Sequence, residues 1–307
     1  MAINPMPNYA HQGTYSFVPT EWSNELLTQF DPLLVWASPL VCNRDYAGTI
    51  SNQGDRVVVN GLIRPNVGKY TDVGGMTIED LKTVEQYVDI TEADYVAFYV
   101  RDIEQVQVAG ALSAPATQES VKALANVTDA FVGATVAASA TAMPQVDVSA
   151  ITGNVAKGEA LLEAVFDMME KLDTAKVPGA RYVVVSPKVK RYLLRAPDIA
   201  NAAALGAGGA TANGLVASLA GFTVVSTTAM PAGVDLLAGH KAFTTFASQF
   251  TDFRSQPVEK YRRSQIDALH LYGARVLSFP EGKQPTSPDV AVTNSEGLLK
   301  AAVKWTA

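Results

Sequence analysis

The first hundred residues contain no stretch able to bury its own apolar groups, and this restricts the chain more than any motif does. Pro5, Pro7, Pro19, Pro32 and Pro39 interrupt residues 1–46 and leave room for one short helix. That helix starts at Thr20, whose hydroxyl caps it, and runs through Glu21, Trp22, Leu26, Leu27 and Phe30 until Asp31-Pro32 stops it. Trp22, Phe30 and Trp36 are large apolar groups without a local core, so they are expected to bury themselves elsewhere, as contacts to a partner. Residues 47–100 read as extended. Arg56–Asn60 follows a Gln53-Gly54-Asp55 turn, and Val84–Ile90 and Tyr95–Val100 are rich in β-branched and aromatic residues. Gly68, Gly74 and Gly75 mark the tip of a long hairpin, whose arms of about fifteen residues reach roughly 50 Å. A two-stranded ribbon is marginal in water unless it lies on something. Two such limbs in succession imply a neighbouring surface.

The rest of the chain can supply cores. Val121, Leu124, Val127 or Thr128, Phe131 and Thr135 form an apolar stripe that predicts a helix over Ala116–Ala140, ended by Pro144. A second helix over Lys157–Leu172 places Leu161, Leu162, Val165, Phe166, Met169 and Leu172 on one face. Strand Tyr182–Val185 runs into Ser186-Pro187, an N-cap and an N1 proline for a further helix. Strands are expected at Phe222–Ser226 and Asp235–Ala238, and again between Phe250 and Phe279. Ile199–Val234 is uncharged and long enough to cross a bilayer, but Gly206, Gly208, Gly209, Asn213 and Gly214 break it. It reads as a flexible loop before a buried strand, and no membrane partner is expected.

Charge explains what kind of surface this is. The chain carries 24 Lys plus Arg against 30 Asp plus Glu, which argues against a tight grip on nucleic-acid phosphates. Charged residues make up 18%, below the usual quarter or so, consistent with surface shared among partners. Acid concentrates in the limbs, including Glu79, Asp80 and Glu85, where Lys69 is one of few bases. Basic groups gather later, at Lys176, Arg181, Lys188, Lys190, Arg191 and Arg195, and at Arg254, Lys260, Arg262 and Arg263. Such a distribution suits ordinary solvated patterning or complementary surfaces between copies. A carboxylate cluster such as Glu79, Asp80 and Glu85 also suits a divalent ion, although a solvated or partner-facing edge is the commoner cause.

No catalytic chemistry emerges. Gly153–Gly158 has phosphate-loop spacing, but Glu159 and Ala160 stand where Lys and Ser or Thr are needed. Gly206–Thr211 lacks the third glycine of a dinucleotide fingerprint, and no G-x-S-x-G elbow occurs. His11, His240 and His270 share no metal spacing and read as structural. Cys42, the single cysteine, excludes a disulfide framework and reads as a small buried apolar group. No catalytic residue, cofactor or metal site is expected. Nor is a secretory leader, because the first twenty residues hold no Lys, no Arg and no apolar core segment.

The order of parts, with four phrases in it, resembles the major capsid protein of tailed double-stranded DNA bacteriophages. The phrases are Phe17-Val18-Pro19-Thr20-Glu21-Trp22-Ser23, Val183-Val184-Val185-Ser186-Pro187, Asp235-Leu236-Leu237-Ala238-Gly239-His240-Lys241-Ala242-Phe243, and Ile266–Val276 with Pro280-Glu281-Gly282 after it. The resemblance implies an α+β chain of the Hong Kong 97-like capsid fold. Residues 1–46 would be the N-terminal arm and 47–100 the extended hairpin loop. Residues 101–150 with 248–285 would form the peripheral domain and its spine helix, and 151–247 the axial domain. Residues 286–307 extend past the family's usual end and are expected to add a strand to a neighbour or brace the arm. The implied partners are further copies in pentamers and hexamers, a portal, a decoration protein, and packaged double-stranded DNA held without tight sequence-specific binding. Because the arm begins almost at Met1, a separate scaffolding protein is expected. Assembly would occur in the host cytoplasm and the product would be the virion capsid. Lys69 and Lys82 lack a matching Asn and Glu context, so no crosslink is expected. Two alternatives remain: an encapsulin-like compartment shell, distinguished by protein cargo, and a soluble α/β enzyme.

Overall fold

A computed structural model describes residues 34–45, 56–62, 69, 78, 80, 83–101, 113–197, 199, 218–258, 263–277, 292 and 294–306. The expected arm helix with Trp22 and Phe30, most of the hairpin tip, Glu79, Arg262 and the Gly206–Gly214 loop lie outside these residues. In chain order the elements are β1 (Arg56–Leu62), β2 (Thr83–Asp89), β3 (Glu92–Arg101), α1 (Ser113–Ser139), β4 (Ala140–Ala142) and β5 (Val146–Asp147). Then come α2 (Asn154–Thr174), β6 (Arg181–Val185), α3 (Pro187–Leu193), β7 (Ser218–Leu219), β8 (Phe222–Ser226) and β9 (Leu236–Gly239). A 3-10 turn over Lys241–Phe243 leads to β10 (Thr244–Val258), β11 (Arg263–Val276), β12 (Ser295–Ala301) and β13 (Val303–Lys304).

The chain divides into two compact units. The smaller comprises Met1–Leu33, Asp94–Leu124 and Phe250–His270. Its described part holds most of β3, the first half of α1, and the far halves of β10 and β11. Along β3, Tyr95, Ala97 and Tyr99 alternate outward on one exposed face, Tyr95 at 74%.

The larger unit is built on a six-stranded mixed sheet in the order β4–β12–β9–β6–β8–β7. Its centre is β6, where Tyr182–Val185 are wholly buried, as a continuous apolar run covered on both faces must be. Ser186 stops that strand and caps α3, its Oγ accepting from the Val189 N–H, with Pro187 in the first turn. Helix α2 buries Leu161, Leu162, Ala164, Val165, Met168 and Leu172. The sequence stripe had Phe166 and Met169 in that face; the structure corrects it. The 161, 165, 168, 172 ladder keeps to one side, while Phe166 follows Val165 by a single residue and swings outward, 37% exposed. On α1, Thr128 is buried and Val127 exposed, which resolves that alternative.

Two other expectations change. Tyr95–Val100 does not belong to the hairpin, whose ladder is β1 with β2 alone. Strand β3 instead joins the sheet β10–β11–β3. Residues 286–307 were expected to brace the arm or reach a neighbour, yet β12 sits inside the chain's own six-stranded sheet, antiparallel to β9 and parallel to β4. Leu298, Leu299 and Ala301 are buried there, so withdrawing this strand would unpair one edge of β9, cut β4 off from the sheet and open the core. Strand β13 then pairs with β5, where Lys304 bridges Asp147 at 3.1 Å. Trp305 stacks on Tyr192 of α3 and lies under the Lys188 ammonium, 3.9 Å from the ring centroid.

Candidate functional site

Helix α1 fixes the root of the N-terminal segment through a carboxylate. Asp129 lies on the buried side of α1 and accepts the N–H of Val35 at 2.9 Å, of Trp36 at 2.9 Å and of Ala37 at 3.2 Å. Burial pushes its carboxyl above the ordinary range, and the three backbone donors pull the other way. The Trp36 side chain is wholly enclosed, and its Nε1–H donates to the Ala229 carbonyl at 2.7 Å. Ser38 Oγ donates back to Val35, and the Cys42 thiol donates to the Trp36 carbonyl at 3.1 Å. Burial raises that thiol well above its usual value, so Cys42 is an inert packing group. Asn43 then bridges to β10, its N–H on the Thr244 carbonyl at 2.7 Å.

The root of the hairpin is fixed in the same unit. Strands β1 and β2 pair antiparallel from Arg56↔Asp89 to Leu62↔Thr83. One face buries Val57, Val59 and Val88, with Ile90 just beyond β2; Arg56, Val58 and Glu85 are exposed. Arg56 closes the base with an ion pair to Asp89 at 2.7 Å, and its guanidinium lies over the Tyr87 ring. From β11, Arg275 Nη1 donates to the Tyr87 carbonyl at 2.6 Å. Gly273 allows β11 to press against the Asp89 carbonyl, which a Cβ would strike. The ribbon thus leaves a base gripped by its own chain.

The residues expected as partner contacts fall on several elements, and Trp22, Phe30, Glu79 and Arg262 lie outside the described residues. Lys69, Asp80 and Glu85 are exposed, and Glu85 accepts from the Tyr87 hydroxyl at 3.1 Å. Arg254 and Arg263 lie on β10 and β11. Trp36 is corrected: its ring is consumed inside its own chain, where the Ala229 carbonyl and α1 satisfy it, and it has no surface left for a neighbour. His240 is structural, its Nδ1 accepting the Ala242 N–H at 3.2 Å to start the 3-10 turn. Burial, then Lys241 and Arg181, lower its pKa. His270 is buried in β11. Among the described residues no group of three or more His, Cys, Asp or Glu could hold a metal ion, and no helix is long and apolar enough to cross a membrane.

Two carboxylates at the limb roots escaped sequence reasoning. One is Asp129. The other is Asp235, which accepts from Val303 N–H at 3.0 Å and from Ser186 Oγ at 3.1 Å, tying the C-terminal strands to the β6–α3 link. For Asp129 a signal existed: a carboxylate among Val121, Leu124, Ala125, Thr128 and Val132 needs donors from another segment.

Comparison with known proteins places this geometry. A family model described as phage capsid protein matches residues 78–282. A solved structure from Mycobacterium phage Che8 is similar over 87% of this chain and 90% of that one, with 25% identity and a TM-score of 0.62. The asymmetric unit of the bacteriophage PhiM1 mature capsid covers 85% of this chain and 87% of its own at 12% identity and TM-score 0.60. A structure from Gordonia phage Cozz covers 98% of both chains at 13% identity and TM-score 0.56. The two last likenesses concern the fold. No curated protein matches.

Proposed function

The chain belongs to the phage capsid protein family and is a major capsid protein, and from that premise we propose that it closes as pentamers and hexamers around double-stranded DNA. Self-association into a shell and a place in the virion come with the family. The finer partners are part of the proposal: a separate scaffolding protein, a portal, a decoration protein, and DNA enclosed without a sequence-specific grip. Assembly in the host cytoplasm belongs to it too.

The observation that carries the reading is the contrast between root and limb. Base residues Arg56, Asp89 and Tyr87 are held by the chain itself, while the ribbon leading away from them exposes one face. On this reading residues 1–46 form the arm, whose part before the Val35–Asn43 anchor reaches a neighbour, and the hairpin rooted on β1 and β2 lies across the adjacent subunit. Residues 101–150 with 248–285, joined by β3, form the peripheral domain, and 151–247, completed by β12, the axial domain. Glu79, Asp80 and Glu85 would meet a basic surface containing Arg254, Arg262 and Arg263, with Lys69 a further hairpin contact and Trp22 and Phe30 buried on a neighbour. Interfaces of about 1,600 Å² each, repeated around closed symmetry, sum to a stable shell.

Cryo-electron microscopy and sedimentation of the purified chain, with and without scaffold, test this directly. Closed particles are expected; a monomer under every assembly condition overturns the reading. Deleting Gly68–Gly75 should abolish particles while the larger unit stays folded, and unimpaired shells would remove the hairpin from its assigned role. The encapsulin-like reading is not favoured, because the matching family model is one of phage capsids.

A further inference from the structure

The larger unit carries two charged helical faces of opposite sign, on α2 and α3; the helices pack on each other at Gly158, while no ion pair joins the two faces among the described residues. On α2, Glu159, Glu163, Asp167 and Glu170 are exposed at i, i+4, i+8 and i+11, directly opposite the buried Leu161, Val165, Met168 and Leu172. Like charges at i, i+4 weaken the helix that bears them, so the stripe works against its own element unless a cation covers it. None of the four makes an ion pair among the described residues. The acidic face continues into a groove of about 560 Å³ beside the edge strand β4, where, among the described residues, Asp167, Glu170 and Glu296 outnumber the one cation, Lys171, over the apolar Met143, Pro144 and Leu299. An acidic wall above an apolar floor fits the long stems and charged heads of Arg and Lys.

The complementary face is on α3 and the residues just after it. Lys188, Arg191 and Arg195 are exposed at i, i+3 and i+7, opposite the buried Val189 and Leu193. Lys188 and Arg191 lie against the Trp305 and Tyr192 rings, and none of the three has a carboxylate partner among the described residues. Two different patches of opposite sign on one chain favour a head-to-tail contact, the kind that closes a ring when its rotation allows.

We infer that the acidic α2 face of one copy docks on the basic α3 face of the next around each capsomer. This inference rests on the capsid reading and adds to it the contact that sets the direction of the ring. Arginine stems enter the groove beside β4, and the opposed stripes reject a reversed neighbour, because reversal would bring like charges together.

Charge reversal tests it. Assembly of Glu163→Lys/Asp167→Lys should fall about tenfold or more at ~0.15 M salt, and so should that of Arg191→Glu/Arg195→Glu, with unchanged denaturation midpoints of the unassembled subunits. Lys188 is left in place because it packs on Trp305. The fourfold variant carrying both reversals restores the opposition and should recover particles. Mixing the two double variants allows only alternating rings, so six-membered rings should form and five-membered ones should not, giving open sheets or tubes. A fourfold variant as defective as the worse double variant overturns the inference. So do wild-type assembly by either double variant, and closed shells from the mixture. If Arg191→Glu/Arg195→Glu makes normal particles that fail to retain DNA, the basic face meets nucleic acid and the inference is overturned. Failure of the unaltered chain to form particles overturns the capsid reading itself, and this contact with it.

Discussion

Gly133 offers a substitution whose sign depends on the Trp36 anchor. It lies one turn after Asp129 in α1, and a Cβ added there would sit 3.0 Å from Trp36 Nε1 and 3.1 Å from Cδ1. In an unconstrained helix interior, Gly→Ala stabilises by about 1 kcal/mol. Forcing a methyl into a filled site costs about 1–3 kcal/mol. The second effect wins only if the indole cannot retreat. Here Nε1 is held by Ala229, the ring is wholly enclosed, and the backbone on either side is pinned by Asp129. Gly133→Ala should therefore destabilise the unassembled subunit by about 1 kcal/mol net. Trp36→Phe removes the colliding nitrogen edge and costs about 1–3 kcal/mol itself by leaving the Ala229 carbonyl unpaired. In that background Gly133→Ala should become stabilising by about 1 kcal/mol. Urea denaturation with an unchanged slope reads both differences as midpoint shifts. An equal effect of Gly133→Ala in the two backgrounds, or stabilisation in the unaltered chain, would refute the claim that Trp36 is immobile.

Three further outcomes follow from the same contacts. Asp235→Ala frees the Val303 N–H and the Ser186 hydroxyl, so amide exchange over 295–304 should accelerate with about 1–3 kcal/mol of lost protection, while α1 changes little. Gly273→Ala drives a methyl into the Asp89 carbonyl and tilts the hairpin base; particle yield should collapse in sedimentation although the subunit still folds, and normal yield would show that the base need not be rigid. The carboxyl of Asp129 titrates above its ordinary value of 3.8 because burial outweighs its three donors. A raised acid favours folding when protonated. Its contribution is therefore full below the unfolded value and is lost as pH rises through the folded one. Relative to Asp129→Asn, the native chain should gain stability on acidification through that window, measured by midpoints across a pH series; a constant difference would contradict the shift.

Strand β6 and helix α3 were readable because every signal agreed: Val183–Val185 is a β-branched run, and Ser186-Pro187 can hardly do anything but start a helix. Strand β12 was not. Its Ser295-Glu296-Gly297-Leu298-Leu299-Lys300-Ala301 has no alternation and contains good helix formers, so only the open place between β4 and β9 makes it a strand. Trp36 was legible as a group needing burial but not as one satisfied at home. Its partners, Ala229 and Asp129, are remote in sequence and carry no local mark of the pairing. The opposed charges on α2 and α3 are visible in composition, but placing each on an outward face needed the buried ladders on the other side.

Asp129 and Asp235 do the same physical task at the two ends of the chain. Each is an acceptor for backbone N–H groups from a distant segment, Val35–Ala37 in one case and Val303 in the other. A hydrophobic contact would hold those segments close, but would let them slide; a carboxylate accepting directed bonds fixes register. That difference matters on the proposed reading, in which the limbs find neighbours. On a ribbon of the expected length, roughly 50 Å, a rocking of about 2° at the base moves the tip by roughly 2 Å, enough to misplace every contact made there. The base must therefore be stiffer than the stability of one subunit alone would require. Burying a carboxylate costs desolvation energy, as the raised Asp129 carboxyl records, and an apolar side chain there would avoid that cost only by leaving the Val35, Trp36 and Ala37 N–H groups unpaired. Positional precision in the assembled shell is what that cost obtains.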